Sequence, residues 1–125
     1  MFRTAVLVVL MVLTAGVALA APHREVTVSQ ARALLAEKKN MVLLDVRTPD
    51  EFRQARLKGA LLIPINELER RLAEIPKGRP VMVYCAVGSR SALVARFLTA
   101  RGYSEVYNLT DGIVGWYRNG YPIER

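Results

Sequence analysis

Three short, unbroken apolar runs constrain the fold of this chain more than any other feature: Met41-Val42-Leu43-Leu44, Leu61-Leu62-Ile63 and Val81-Met82-Val83-Tyr84. Each is too short for a helix, and none alternates apolar with polar residues. Runs of this kind suit strands covered on both faces, as in a parallel sheet with helices packed on either side.

The segments between the runs carry helix signals. A short alternating strand, Glu25-Val26-Thr27-Val28, precedes Ser29, which is expected to cap a helix over residues 30–38 with Ala31, Leu34 and Leu35 at helical spacing. Thr48-Pro49-Asp50-Glu51 combines an N-cap, a Pro at the first helical position and a Glu three residues after the cap, which predicts a short helix to about residue 54. Asn66 and Glu69 repeat the capping-box spacing and predict a helix to about residue 74, with Leu68 and Leu72 facing inward. Over residues 92–101, Leu93, Val94, Phe97 and Leu98 form one apolar face, and Gly102 stands where a left-handed C-terminal residue is expected. Glu105-Val106-Tyr107-Asn108-Leu109 is the last strand, and Thr110-Asp111-Gly112 turns the chain into a final short helix holding Trp116. Strands alternating with helices across short connections define an α/β fold, a mostly parallel sheet with helices on both faces. Such sheets bind ligands beyond the carboxyl ends of their strands, where Asp45 and Cys85 fall.

With 125 residues, 52% of them hydrophobic, the chain has room for one core and is too apolar for disorder. Its first twenty residues stand apart. Arg3 supplies a positive start, residues 5–19 are apolar, and Ala18-Leu19-Ala20 fits a small-x-small cleavage site. The expectation is a signal peptide over residues 1–20, a domain over residues 21–125, and a periplasmic or secreted protein. Left uncut, the leader would be a membrane anchor, although its apolar run is shorter than the roughly 20 residues of a comfortable span. The net charge of +7 is scattered, with Lys38-Lys39 and Arg70-Arg71 the only tight basic pairs. No stacking motif accompanies it, which argues against nucleic acid and for small anions.

Cys85 is the only cysteine and His23 the only histidine, the latter just past the expected cleavage site. That excludes an internal disulfide, a Cys-His dyad, and zinc sites built on histidines or on several thiolates. The stretch Cys85-Ala86-Val87-Gly88-Ser89-Arg90-Ser91 lies between the third apolar run and a helical segment. A strand-end Cys, a Gly-containing loop and a helix start together aim backbone N–H groups and a helix dipole at the sulfur. Gly88 permits a positive φ or a close backbone approach, and Arg90 adds a permanent charge. These features lower the thiol pKa and hold a small anion against the sulfur. A buried structural Cys would leave Gly88, Arg90 and the helix start unexplained as a group.

From about residue 26 to 121 the chain resembles a single-domain rhodanese, a thiosulfate:acceptor sulfurtransferase. The resemblance rests on Leu44-Asp45-Val46-Arg47-Thr48-Pro49-Asp50-Glu51-Phe52, on Lys58-Gly59-Ala60 with Leu62-Ile63-Pro64, on Cys85-x-x-Gly88-x-Arg90-Ser91, and on Gly112-Ile113-x-Gly115-Trp116. It implies a rhodanese-like fold and a Cys85 that takes the outer sulfur of thiosulfate or a similar small anionic donor. The resulting persulfide passes its sulfur to a thiol or to cyanide, with no metal or organic cofactor. Arg90 and the loop residues Ala86, Val87, Gly88, Ser89 and Ser91 would hold the anion. Arg47 and Glu51 look like the family's structural ion pair, and Asp45 would support the loop from the neighbouring strand end.

Two positions depart from the family pattern. Ala55-Arg56 stands where many relatives have Gly-His, and Asp111-Gly112 where they often have a Gly pair, which implies less backbone freedom near the site. The apolar Ala86 and Val87 imply a weaker hold on thiosulfate and leave room for another sulfane-sulfur donor. Two further readings stay open. One is a phosphatase or arsenate reductase on the same fold, although related phosphatases use a loop one residue longer. The other is a noncatalytic module that binds a partner or delivers sulfur only within a complex.

Overall fold

The computed structural model describes residues 10–13, 16 and 22–125. The expected leader over residues 1–20 and its cut before Ala21 therefore lie largely outside the described residues.

Strand β1 (Arg24–Val26) leads into helix α1 (Val28–Glu37), then β2 (Val42–Asp45), α2 (Pro49–Gln54) and β3 (Leu61–Leu62). Two single 3-10 turns, Ile65–Glu67 and Leu72–Glu74, precede β4 (Val81–Tyr84), α3 (Ser89–Ala100), β5 (Val106–Leu109) and α4 (Gly112–Arg118). The strands form one sheet in the order β1-β5-β4-β2-β3, every pair parallel. β2, β4 and β5 are buried along their whole length. This is the doubly covered condition read from the apolar runs at 41–44 and 81–84, whereas the run at 61–63 supplies the two-residue strand β3, half-buried because it lies at the edge of the sheet.

The two-residue period of a strand divides the core cleanly. Val42, Leu44, Val81, Val83 and Cys85 point to one face, where Val94, Ala95 and Leu98 of α3 cover them. Leu43, Met82 and Tyr84 point to the other, where Ala31 of α1 and Ile113 and Trp116 of α4 close over them. Helices on both faces of a parallel sheet are thus observed as expected, and Cys85 belongs to the α3 side.

Several elements differ from their expected bounds. α1 begins two residues earlier because Thr27, and not Ser29, is its cap. The Thr27 hydroxyl accepts from the Gln30 N–H at 3.2 Å and the Gln30 side chain accepts from the Thr27 N–H at 3.0 Å. β1 accordingly stops at Val26. The helix expected over residues 66–74 is replaced by the two 3-10 turns. The Ile65 N–H donates to Val46 O, tying the segment to the end of β2, while the Tyr103 hydroxyl lies against the Leu72 and Ile75 carbonyls. Those tertiary bonds pin the backbone near the two ends of the segment, and the chain between them closes in short 3-10 turns. Finally, α3 starts at Ser89, three residues before its expected start at residue 92.

Candidate active site

Cys85 follows the last residue of the central strand β4, with its side chain turned toward α3 and no solvent-exposed surface. Three donors converge on its sulfur. The Gly88 N–H lies 3.1 Å from Sγ, the Ser91 hydroxyl 3.3 Å and the Ser91 N–H 3.5 Å. Gly88 is the N-cap of α3 and has no side chain to offer. The sulfur accepts from the first-turn N–H of Ser91 in its place, which is why the helix can begin so close to the loop. Burial raises the Cys85 pKa. The bonds from the Ser91 hydroxyl and N–H and from the Gly88 N–H, with a smaller contribution from the nearby Val87 N–H, outweigh it and hold the thiol below its ordinary value.

Two glycines make the cradle possible. Gly88 has φ +97°, and a Cβ there would overlap Thr110 O. Gly112 has φ +60°, and a Cβ there would overlap Ala86 O. The loop is therefore clamped against the turn from β5 into α4, and the first N–H groups of that helix complete the clamp: Ile113 donates to Cys85 O at 3.0 Å and Val114 to Ala86 O at 3.1 Å. Asp111, at φ −96°, occupies an ordinary conformation, so the position where a second glycine was expected requires none. Ala86 is half-buried and Ser89 exposed, while Val87 is 60% exposed beside the loop.

The ion pairs are arranged differently from the sequence expectation. Arg47 and Glu51 do not pair through their side chains; Arg47 Nη1 reaches only the Glu51 carbonyl, at 3.5 Å. Arg47 instead grips the fully buried Asp45, with Nε 3.0 Å from Oδ1 and Nη2 2.8 Å from Oδ2. A carboxylate removed from water demands the nearest cation, and Arg47 is two residues away. Nη2 of Arg47 also donates to Ala55 O at 2.6 Å, so the expected Asp45 support runs through α2 and not directly to the loop. The substituted Ala55 supplies its carbonyl to that arrangement, and Arg56 bridges to Glu124.

Glu51 pairs with Arg90 across the site, in a bidentate contact of 2.8 and 3.0 Å. Arg90 holds the Glu51 carboxyl at about 2, helped by Thr48 and opposed by burial. The charge of Arg90 is therefore balanced locally, and the donors closest to the sulfur are N–H groups and a hydroxyl.

One set of residues near the loop was not singled out from sequence. Asn108 of β5 donates through Nδ2 to Gly88 O at 3.2 Å and to Glu25 Oε2 at 2.8 Å, while the Thr110 hydroxyl and His23 also contact the Glu25 carboxylate. A polar side chain inside the run Val106 to Leu109, on a strand buried throughout, was the available signal.

The rhodanese-like domain family matches residues 27–119, from α1 through strands β2 to β5 and the Cys85 loop to α4. The chain belongs to that family. It is similar to a sulfurtransferase of Allochromatium vinosum, 42% identical over 89 residues that span 71% of this chain and 83% of the relative. It is also similar to thiosulfate sulfurtransferase GlpE of Tolumonas auensis, 37% identical over 97 residues, 78% of this chain and 90% of that one. Among solved structures, a rhodanese-related protein from Thermoplasma volcanium superposes with a TM-score of 0.73 at 30% identity, covering 81% of this chain and 97% of that chain. Chemically, this rhodanese-like loop surrounds the Cys85 sulfur with donors that favour its thiolate. No cluster of metal-ligating side chains lies among the described residues.

Proposed function

We propose that this chain is an exported sulfurtransferase that carries sulfane sulfur as a persulfide on Cys85. The observation that carries the reading is the convergence of the Gly88 N–H, the Ser91 N–H and the Ser91 hydroxyl on a thiol held below its ordinary pKa. Family membership and the names of its relatives support it. The Cys85 thiolate attacks the outer sulfur of thiosulfate; the new S–S bond forms as the bond to the inner sulfur breaks, and sulfite leaves with the electron pair. A thiolate or cyanide then attacks the terminal sulfur and releases the Cys85 thiolate. Neither step needs a proton moved by the enzyme, so this chemistry requires no histidine, metal or organic cofactor. The amides of Ala86, Val87, Gly88, Ser89 and Ser91, with the remaining N–H groups of Arg90, receive the anionic end of the donor.

Incubation with thiosulfate should raise the intact mass by one sulfur atom in the wild type and not in Cys85→Ser. Thiocyanate should form from cyanide only in the former. Equal rates in the two proteins would overturn the reading, as would an aryl phosphatase activity that requires Cys85. A persulfide that forms but passes to no small thiol or cyanide would favour a carrier that works only within a complex. For the export half of the proposal, the mature protein should begin at Ala21 in the cell-envelope or secreted fraction; a full-length cytosolic chain would contradict it.

A further inference from the structure

The Ser91 hydroxyl has one proton and two acceptors within reach, Gly88 O at 3.1 Å and Cys85 Sγ at 3.3 Å. Which acceptor receives it decides whether the hydroxyl stabilises the sulfur anion. Gly88 O has two lone pairs, and two other donors lie beside it: the Ala92 N–H at 3.1 Å and Asn108 Nδ2 at 3.2 Å. When both are engaged, the carbonyl is saturated and the hydroxyl proton is left for the sulfur.

The orientation of Asn108 is itself determined. Both groups in front of Nδ2, Gly88 O and Glu25 Oε2, are acceptors, so the reversed amide would place oxygen against oxygen on each. The orientation leaves Oδ1 buried with no partner, in a residue 2% exposed. Glu25 faces Asn108 in register across the β1–β5 pairing, and its carboxylate is steadied by the Thr110 hydroxyl and His23.

We propose that Asn108 is a positioning residue of the Cys85 site: by occupying the Gly88 carbonyl from β5 it turns the Ser91 hydroxyl proton toward Cys85 Sγ, and Glu25 on β1 holds Asn108 in place. The effect on turnover rests on the sulfurtransferase reading; the effect on the thiol does not. The charged and titratable groups around the loop are Arg90 with Glu51 from α3 and α2, Asp45 with Arg47 from the end of β2, Asp111 and Arg118 beside Val87 at α4, and Glu25 from β1 with His23. Substituting Asn108 alters none of these charges, so a change in the thiol reports hydrogen bonding.

The test is the pH profile of Cys85 alkylation by iodoacetamide in four full-length proteins: wild type, Asn108→Ala, Ser91→Ala and the double variant. Asn108→Ala should move the midpoint upward by about one pH unit, as expected for losing much of a hydrogen bond to a charged group. In the Ser91→Ala background the same substitution should move it by less than about a third of that, because no hydroxyl remains to redirect. An unchanged midpoint, or an equal shift in both backgrounds, would overturn the proposal and reduce Asn108 to a loop support. Should Asn108→Ala fail to fold by near-ultraviolet circular dichroism, Glu25→Ala on the exposed edge strand replaces it in the same four-protein cycle. Coupling of Glu25 to Ser91 with the same sign supports the proposal, and additivity overturns it. Sulfur transfer by Asn108→Ala should be reduced at pH values below its own raised midpoint and recover above it. A wild type that transfers no sulfur would defeat the sulfurtransferase reading while leaving the alkylation cycle to decide this one.

Discussion

Glu51 joins the two halves of the site by serving two partners at once. Its Oε1 accepts from the Thr48 N–H at the start of α2, and both carboxylate oxygens receive Arg90 from α3. With its folded pKa near 2 against about 4.3 in an unfolded chain, the ionised carboxylate favours the folded state. That contribution is complete above the unfolded value and disappears as pH falls toward 2. Denaturant unfolding should therefore show wild type more stable than Glu51→Gln at pH 6, with the difference shrinking between pH 4.5 and 2; a pH-independent difference would contradict the pairing. Gly88→Ala attacks the cradle from the backbone side. A left-handed φ and a Cβ overlapping Thr110 O leave no unstrained solution, so a loss of about 2 kcal/mol or more in unfolding free energy is expected, with a raised alkylation midpoint for Cys85. Cys85, Gly88 and Arg90 could be grouped as a candidate site from the sequence because they lie within one loop. The partner of Arg90 was not, because Glu51 is 39 positions away and Arg47 offered a nearer cation whose buried claimant, Asp45, only the fold reveals.

At the scale of elements, α2 has no buried residue of its own and depends on polar attachment. Asp45 at the end of β2 fixes Arg47, and Arg47 in turn holds the Glu51 and Ala55 carbonyls at the far end of the helix. Asp45→Ala would strand a buried guanidinium and release α2 together with Glu51. The expected cost is about 3–5 kcal/mol by chemical denaturation, with amide hydrogen exchange accelerated first in residues 49–54. A loss below about 1 kcal/mol would show that α2 is held by something else. The cap of α2 was readable from Thr48-Pro49-Asp50-Glu51 because every partner in it is local. Thr27-x-x-Gln30 has the same logic, and the nearer Ser29 obscured it. The same spacing at Asn66 and Glu69 misled, since the bonds that decide that segment come from Val46 and Tyr103. The start of α3 was missed for a related reason: its cap is the sulfur of Cys85, a residue type absent from ordinary capping rules.

At the scale of the molecule, the parallel sheet was readable because burial on both faces leaves its mark in each central strand separately, whereas strand order was not, since those strands share that mark. The sheet brings the ends of β2 and β4 together, and with them two ion pairs, Asp45–Arg47 and Glu51–Arg90, in which each cation meets a carboxylate. An approaching dianion thus meets little unbalanced side-chain charge from these pairs. The chain nevertheless carries a net +7, to which the expected leader contributes only Arg3. Long-range attraction must come from that distributed excess, which salt screens over about 10 Å at 0.1 M, while the short N–H contacts to the sulfur are shielded from bulk ions. Raising ionic strength from about 20 to about 500 mM should therefore lower kcat/KM for thiosulfate several-fold and leave kcat within about twofold. An uncharged sulfane-sulfur donor should show no such slope. Equal salt dependence for charged and neutral donors would mean that the excess positive charge does not guide the substrate, and that recognition begins only inside the Cys85 loop.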